Sequence, residues 1–335
     1  MSSTKLPTQV YIEVTNRCNS RCISCPLTYD YFHDYEPKGH LSFEAFCHII
    51  DQLPGLERAV LHGIGEPLLN PDLPRFVAYL KARNVRVIFN TNAILLDRER
   101  GDTLADAGLD ELRVSLDAVT PELYAELRGV DRFRQVIENL RKFIKRHGGL
   151  NNPKLSLWWV ALQKNLWQLP DFVRLAAKLG VQEIHMQRLV YFGDREAIDN
   201  STTMEAEQSL YAALEHQQID LINECEKMAI SLGLVFNASG NTTPTNSITA
   251  NGSHPWQACT RPWTIMYITA NGNALPCCIA PFATHNYSKI ILGNVFQQSI
   301  QDVWNDVPYQ NLRAAVLSGS PAPWPCQFCG VKWSL

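Results

Sequence analysis

This 335-residue chain lacks an excess of either charge: 30 Lys and Arg stand against 33 Asp and Glu, a formal net charge of −3. A broad nucleic-acid surface needs a basic patch or stripe. The basic runs here, such as Arg141 to Arg146, are short and read as the exposed side of a helix. The chain also lacks any stretch of about 18 apolar residues, so no membrane-spanning helix is expected. It lacks an apolar N-terminal segment before a cleavage site, so no secretory signal is read. No internal repeat is evident. What remains is a chain with 46% apolar residues, enough for one large domain or two.

Cysteine is not scarce. There are ten, and without a secretory signal they argue for the reducing cytoplasm and against a disulfide scaffold. Seven fall into two sets. Cys18, Cys22 and Cys25 form a C-x3-C-x2-C run just after an expected strand. Cys259, Cys277, Cys326 and Cys329 lie near the C-terminus. Three thiolates leave one iron of a [4Fe–4S] cube open for chemistry, whereas four close a cluster for electron transfer or structure. Zinc is the competing reading of each set, but zinc more often uses paired C-x2-C hooks with a fourth ligand nearby. Cys47 and Cys225 sit in helical patterns and read as core thiols. Cys278, beside Cys277, is either a bystander thiol or a reactive one.

Strand and helix patterns alternate through the first part. Strands are expected near 9–14, 58–62, 85–89, 111–116, 155–162 and 182–187. Helices are expected near 42–53, 71–82, 97–107, 121–146, 169–179 and 204–232. Asn70-Pro71 and Thr120-Pro121 read as cap-plus-proline helix starts, and Gly108 and Gly180 as helix stops. Six β/α units imply a parallel sheet. They are too few to close an eight-stranded barrel, so an open partial barrel fits. Residues 1–237 form this domain, 238–255 a polar connecting loop and 256–335 a small cysteine-rich domain. In the last, Asn271-Gly272 marks a hairpin that brings Cys277 back toward Cys259. A helix follows from Ile300 to Leu317, with Val303, Trp304 and Leu312 on its apolar side.

In these segments the chain resembles the radical S-adenosylmethionine (SAM) enzymes. The C-x3-C-x2-C loop is followed in register by Gly63-Ile64-Gly65-Glu66-Pro67, similar to the family's Gly-rich motif that holds the amino end of SAM. Gly63 and Gly65 permit close backbone approach, and Glu66 can pair with an ammonium. Phe89 to Asn92 and Leu112 to Asp117 resemble two further family segments. The resemblance implies SAM contacts for Asn92, for Ser115 on the ribose and for Arg128 on the carboxylate. Ala93 stands where the family often has Gly. Ser24 stands where a large side chain often packs on adenine, so Met186 or one of Tyr29, Tyr31 and Tyr35 is a candidate for that contact.

Residues 256 to 335 resemble the shortened SPASM or "twitch" extension. The resemblance implies a partial (β/α)6 TIM barrel, SAM, and two [4Fe–4S] clusters, one SAM-binding and one auxiliary. It also implies a reducing partner such as flavodoxin or ferredoxin. A 5′-deoxyadenosyl radical would take a hydrogen atom from a small substrate such as a polyol, sugar or aminocyclitol. Oxidation assisted by the auxiliary cluster, or epimerisation with Cys278 as hydrogen donor, would follow. Twitch-type aminocyclitol dehydrogenases and carbohydrate epimerases resemble this layout. Peptide modification is the alternative, although the first strand begins near residue 9 and leaves no room for a leader-recognition domain. A non-catalytic electron carrier would need no Gly63–Glu66 loop. His62, Asp117, His185 and Gln187 end expected strands and either face the pocket or satisfy local partners.

Overall fold

The computed structural model describes residues 4–28, 32–148, 153–189, 210, 214–238, 242–249, 259–283, 287–318 and 325–326. The six expected strands are present as β1 (Gln9–Ile12), β2 (Arg58–Val60), β3 (Arg86–Thr91), β4 (Glu111–Ser115), β5 (Lys154–Ala161) and β6 (Glu183–Arg188). Each pairs in parallel with the next. A seventh strand, β7 (Val235–Ala238), adds in parallel to β6. It lies across the expected boundary at 237.

The C-terminal segment extends the same sheet. Strand β8 (Ile265–Ile268) pairs in parallel with β1, and β9 (Asn273–Leu275) and β10 (Gly293–Asn294) continue antiparallel. The final order is β10-β9-β8-β1-β2-β3-β4-β5-β6-β7. The β8–β9 turn carries Gly272 at φ 82, the left-handed conformation that the expected hairpin requires.

Parallel strands usually read as continuous apolar runs, because both faces are covered. Here the two faces differ. Val10, Ile12, Ala59, Val87, Phe89, Leu112, Val114, Leu157 and Trp159 are fully buried with the helices. Phe46 and Phe76 stack at 4.3 Å, and Trp159 packs on Phe172 at 4.6 Å. Phe46, Phe76 and Phe172 come from α2 (Phe43–Asp51), α3 (Leu73–Lys81) and α7 (Leu169–Leu179), which, with α1 (Phe32–Tyr35), α4 (Arg98–Asp106), α5 (Pro121–Arg128) and α6 (Phe133–His147), pack with the early strands. The alternate residues Tyr11, Arg58, Arg113, Trp158 and His185 are not in that core and turn to the concave side.

Several helix bounds differ from expectation. The helix expected over 121–146 is two helices, broken at Gly129 (φ 66), where a Cβ would collide with the Arg21 carbonyl. Asn70-Pro71 does not start a helix: α3 begins at Leu73, with Asp72 at its N-cap position. The Asn70 side chain instead donates to the Val14 and Leu41 carbonyls, tying the turn to β1. Of the helix expected over 204–232, α8 is His216–Ser231, and most of 204–215 lies outside the described residues. The expected loop 238–255 contains a helix, α9 (Pro244–Thr249). After α10 (Arg261–Thr264), the final expected helix is again two, α11 (Ile300–Asn305) and α12 (Val307–Ser318), broken at Asp306. Val303, Trp304 and Leu312 are buried as expected.

Candidate functional site

The cysteine loop leaves β1 and is clamped from two sides. Asn16 donates to the Glu36 and Pro37 carbonyls and accepts from the Gly39 amide. On the other side, the Arg21 and Ile23 amides donate to the carbonyls of Arg128 and Leu127 at 3.0 and 3.1 Å. The break after α5 thus serves as a dock for the loop. Burial pushes the Cys18 thiol up to about 12, and also raises Cys22 and Cys25. Such thiols stay neutral until a metal centre takes them as thiolates. Among the described residues no three His, Cys, Asp or Glu side chains group around a single metal ion. A cubane takes each thiolate on a different iron, and three thiolates from one loop leave its fourth iron open.

The Gly63–Pro67 segment lies directly against this loop. A Cβ at Gly63 would collide with the Glu13 carboxylate and the Tyr267 hydroxyl, and one at Gly65 with the Thr15 carbonyl. The Glu66 amide donates to the Arg17 carbonyl at 2.8 Å. The buried Glu66 carboxylate accepts from the Leu68 amide, the Thr91 hydroxyl and the Asn92 amide. Burial raises its pKa against these donors. Asn92 then reaches back, its Nδ2 donating to Asn19 at 2.7 Å and Ser20 at 3.2 Å. Glu66 and Asn92 therefore form one hydrogen-bonded unit with the Cys18 turn, with Gly65 packed against Thr15 and Gly63 against Glu13. Ala93 adopts φ 58, the left-handed value that the missing Gly would adopt freely.

Arg128 is also brought to the loop. Its guanidinium pairs with Asp117 at 2.7 Å and lies 3.8 Å from Cys22 Sγ, with Nε finding no hydrogen-bond partner among the described residues. Ser115, half-buried, stands opposite Trp158 on the concave face. Met186 does not. Its register partner is Trp159, so it joins the buried outer core and is not an adenine contact. Tyr35 is 41% exposed and packs on Tyr287, which removes it from the same role. Tyr29 and Tyr31 lie outside the described residues. Cys225 is buried as expected, whereas Cys47 is only half-buried.

Below the cysteine loop the concave face carries rings and cations. His185 stacks on Trp158 at 3.8 Å, and the Arg113 guanidinium lies 4.5 Å above the same indole. Tyr11 and His62 are 5.7 Å apart. Burial, then Arg113, lowers His62 to about 3 and His185 to about 4, so both imidazoles are neutral at ordinary pH. Arg58 and Arg113 act on Tyr11, as does Arg261. Cys278 is close enough for its charge to raise the Tyr11 phenol, second only to burial.

The second cysteine set is partly in view. Cys259 and Cys326 are neighbours, and burial followed by the Cys259 charge raises Cys326 to about 12. Cys277, two residues past β9, is close enough for its charge to help raise the Tyr309 phenol, after burial. Cys329 lies outside the described residues. Cys18, Cys25, Cys277 and Cys278 all pack against one apolar cluster that includes Ile64, Tyr267 and Tyr287. Cys277 of the second set thus packs on the same cluster as Cys18 and Cys25 of the first.

Sequence reading missed Glu13, Tyr11, Arg113 and Trp158. Their signal was available: polar or aromatic residues at every second position of strands otherwise built to be buried.

Residues 12–156 match the Radical SAM superfamily, and residues 259–330 match the SPASM iron–sulfur cluster-binding domain. The chain is 27% identical over 235 residues to the tungsten-containing aldehyde ferredoxin oxidoreductase cofactor-modifying protein of Pyrococcus furiosus, covering 65% of each. It is 29% identical over 226 residues to Fe-coproporphyrin III synthase of Methanosarcina barkeri, covering 67% of this chain and 52% of that protein. It thus spans between half and two-thirds of the length of these curated relatives. Its fold is shared with Streptococcus suis SuiB bound to S-adenosylmethionine, at TM-score 0.70 and 18% identity, over 98% of this chain and 72% of that one.

Proposed function

We propose, since the chain carries a radical SAM domain joined to a C-terminal SPASM domain, that it removes a hydrogen atom from a substrate held on the concave face of the partial barrel. When bound, SAM and the open cluster supply the 5′-deoxyadenosyl radical that takes the hydrogen atom. Cys18, Cys22 and Cys25 would hold that cluster. Gly63, Gly65, Glu66, Asn92 and Ser115 would orient SAM, with Arg128 Nε available to its carboxylate. Cys259, Cys277, Cys326 and Cys329 would hold the auxiliary cluster.

One observation carries this reading. The concave face carries Tyr11, His62, Arg113, Trp158 and His185 where a filled barrel would place apolar side chains. Neutral imidazoles can accept or donate to hydroxyls, and flat rings suit a sugar-like or cyclitol ring. A small hydroxylated substrate fits this lining. A cationic amino form fits less well, because the arginines Arg58, Arg113 and Arg261 act on the same face. Those cations favour a second reading, a carboxylate-bearing substrate such as an acidic peptide segment.

Cys278 would decide the outcome. From beside Tyr11 its thiol would give a hydrogen atom to the opposite face of the substrate radical, giving epimerisation, and the thiyl radical left on it would take an electron from the reductant through the auxiliary cluster and a proton from water. The test is turnover in D2O with dithionite as reductant. Deuterium at the product carbon, lost in Cys278→Ala, supports the thiol donor. A product two hydrogens lighter, formed equally by Cys278→Ala, would instead give oxidation through the auxiliary cluster. Absence of 5′-deoxyadenosine with both clusters loaded would overturn the enzymatic reading in favour of an electron carrier.

A further inference from the structure

Glu13 has no role in the reading above, yet it is among the most completely engaged side chains in the molecule. It follows β1 on the concave side and is 1% exposed. Its Oε2 accepts from the Ile64 amide at 2.8 Å and the Tyr267 hydroxyl at 3.0 Å. Its Oε1 accepts from the Ala270 amide at 3.3 Å. No Lys, Arg or His pairs with it among the described residues.

These donors come from two distant parts of the chain. Ile64 lies inside the Gly63–Glu66 loop. Tyr267 and Ala270 belong to the β8–β9 hairpin, whose second strand leads to Cys277. The glycine at 63 is required by this contact, because a Cβ there would collide with both the Glu13 carboxylate and the Tyr267 hydroxyl. A second buried carboxylate holds the same hairpin: Glu36 accepts from Asn271, Asn273 and Tyr287. Its charge, after burial, helps raise Glu13. A buried carboxylate with no cation is costly unless its hydrogen bonds are complete. That cost fixes all three donors in place together.

We propose that Glu13 is a positioning residue that couples the SAM-binding loop to the auxiliary-cluster hairpin. It holds the Ile64 amide, and with it Gly65 and Glu66, at a height set by Tyr267 and Ala270. A shift of the hairpin is then felt at the SAM-binding loop, and SAM binding in turn biases the hairpin. The inference rests on residues 63–66 being that loop.

The test uses reconstituted holoprotein with both clusters, unreduced, in wild-type, Glu13→Gln and Tyr267→Phe forms. SAM affinity is measured by equilibrium binding, and amide hydrogen exchange is followed across residues 60–70. Tyr267→Phe keeps the packing and removes only one donor to Glu13, so it carries the test if Glu13→Gln fails to load iron. The expected result is SAM binding weakened about five-fold or more, with faster exchange over 63–66 and unchanged iron content. A merely stabilising role would lower the melting temperature and leave both readouts unmoved. Wild-type affinity and exchange in Tyr267→Phe would overturn the inference. Failure of wild-type protein to bind SAM would overturn the loop assignment, and the inference with it.

Discussion

The guanidinium of Arg128 lies 3.8 Å from Cys22 Sγ while pairing with Asp117 at 2.7 Å. A cation is thus placed against a thiol that burial otherwise holds neutral. The pair is nearly buried, at 9% and 13% side-chain exposure. Removing one partner of such a pair costs about 3–5 kcal/mol, because the other charge is left uncompensated. Arg128→Gln should therefore lower the unfolding temperature sharply and reduce iron retention at the N-terminal cluster. Asp117→Asn should be destabilised but retain more iron, since the cation next to Cys22 remains. Thermal unfolding and iron content of both variants check this.

Ala93 stands at φ 58. A left-handed conformation costs a residue with a Cβ about 1–2 kcal/mol. Glycine removes that cost but loses about 0.4–1 kcal/mol through the unfolded chain. Ala93 is also fully buried, and glycine gives up a packed methyl worth about 0.8 kcal/mol, so the terms nearly cancel and Ala93→Gly should leave the unfolding temperature close to wild type. The same change should leave Asn139 donating to the residue 93 carbonyl, as it does at 2.9 Å here.

Glu13 sets one pH dependence. Burial, then the charge of Glu36, raises its carboxyl from the ordinary 4.5 to about 7. The folded state thus holds this proton more tightly than the unfolded chain. The stability it adds is fully present below about pH 4.5 and is lost as pH rises through about 7. The full span is about 3 kcal/mol, at about 1.36 kcal/mol per pH unit. Glu13→Gln should remove this dependence, so the difference in stability between variant and wild type should change between pH 5 and 8.

His62 and His185 act in the opposite sense. Their folded values, about 3 and about 4, lie below the ordinary 6.5. Their contribution is present above pH 6.5 and is lost as pH falls through those values. Arg113 is the second cause after burial for both. Arg113→Gln should raise both imidazoles toward 6.5, as read by histidine NMR titration. Unchanged titration would contradict the electrostatic reach of Arg113 to both imidazoles.

The sheet was legible because its strands end in turn residues and its helices carry apolar faces at regular spacing. The C-x3-C-x2-C spacing marked a single loop, and that loop is docked on the Leu127 and Arg128 carbonyls. The joining of this region to the C-terminal one was not legible. Nothing in Ile265–Ile268 announces that it pairs with Gln9–Ile12, some 250 residues earlier, because strand pairing at that distance leaves no local mark. The split of 121–146 was hidden for a similar reason. Gly129 reads as a tolerated helix glycine until the Arg21 carbonyl is seen against it. Met186 misled because a strand-end methionine has two faces to choose from, and only its register with Trp159 selects the outer one.

The most direct measurement is an iron and sulfide count on anaerobically reconstituted protein, in wild-type and Cys259→Ala/Cys277→Ala forms, with SAM cleavage followed under dithionite. About eight irons in wild type, about four in the double variant and 5′-deoxyadenosine from the wild type are expected for two [4Fe–4S] clusters. About four irons in both forms, with zinc bound to the C-terminal cysteines of the wild type, would contradict it.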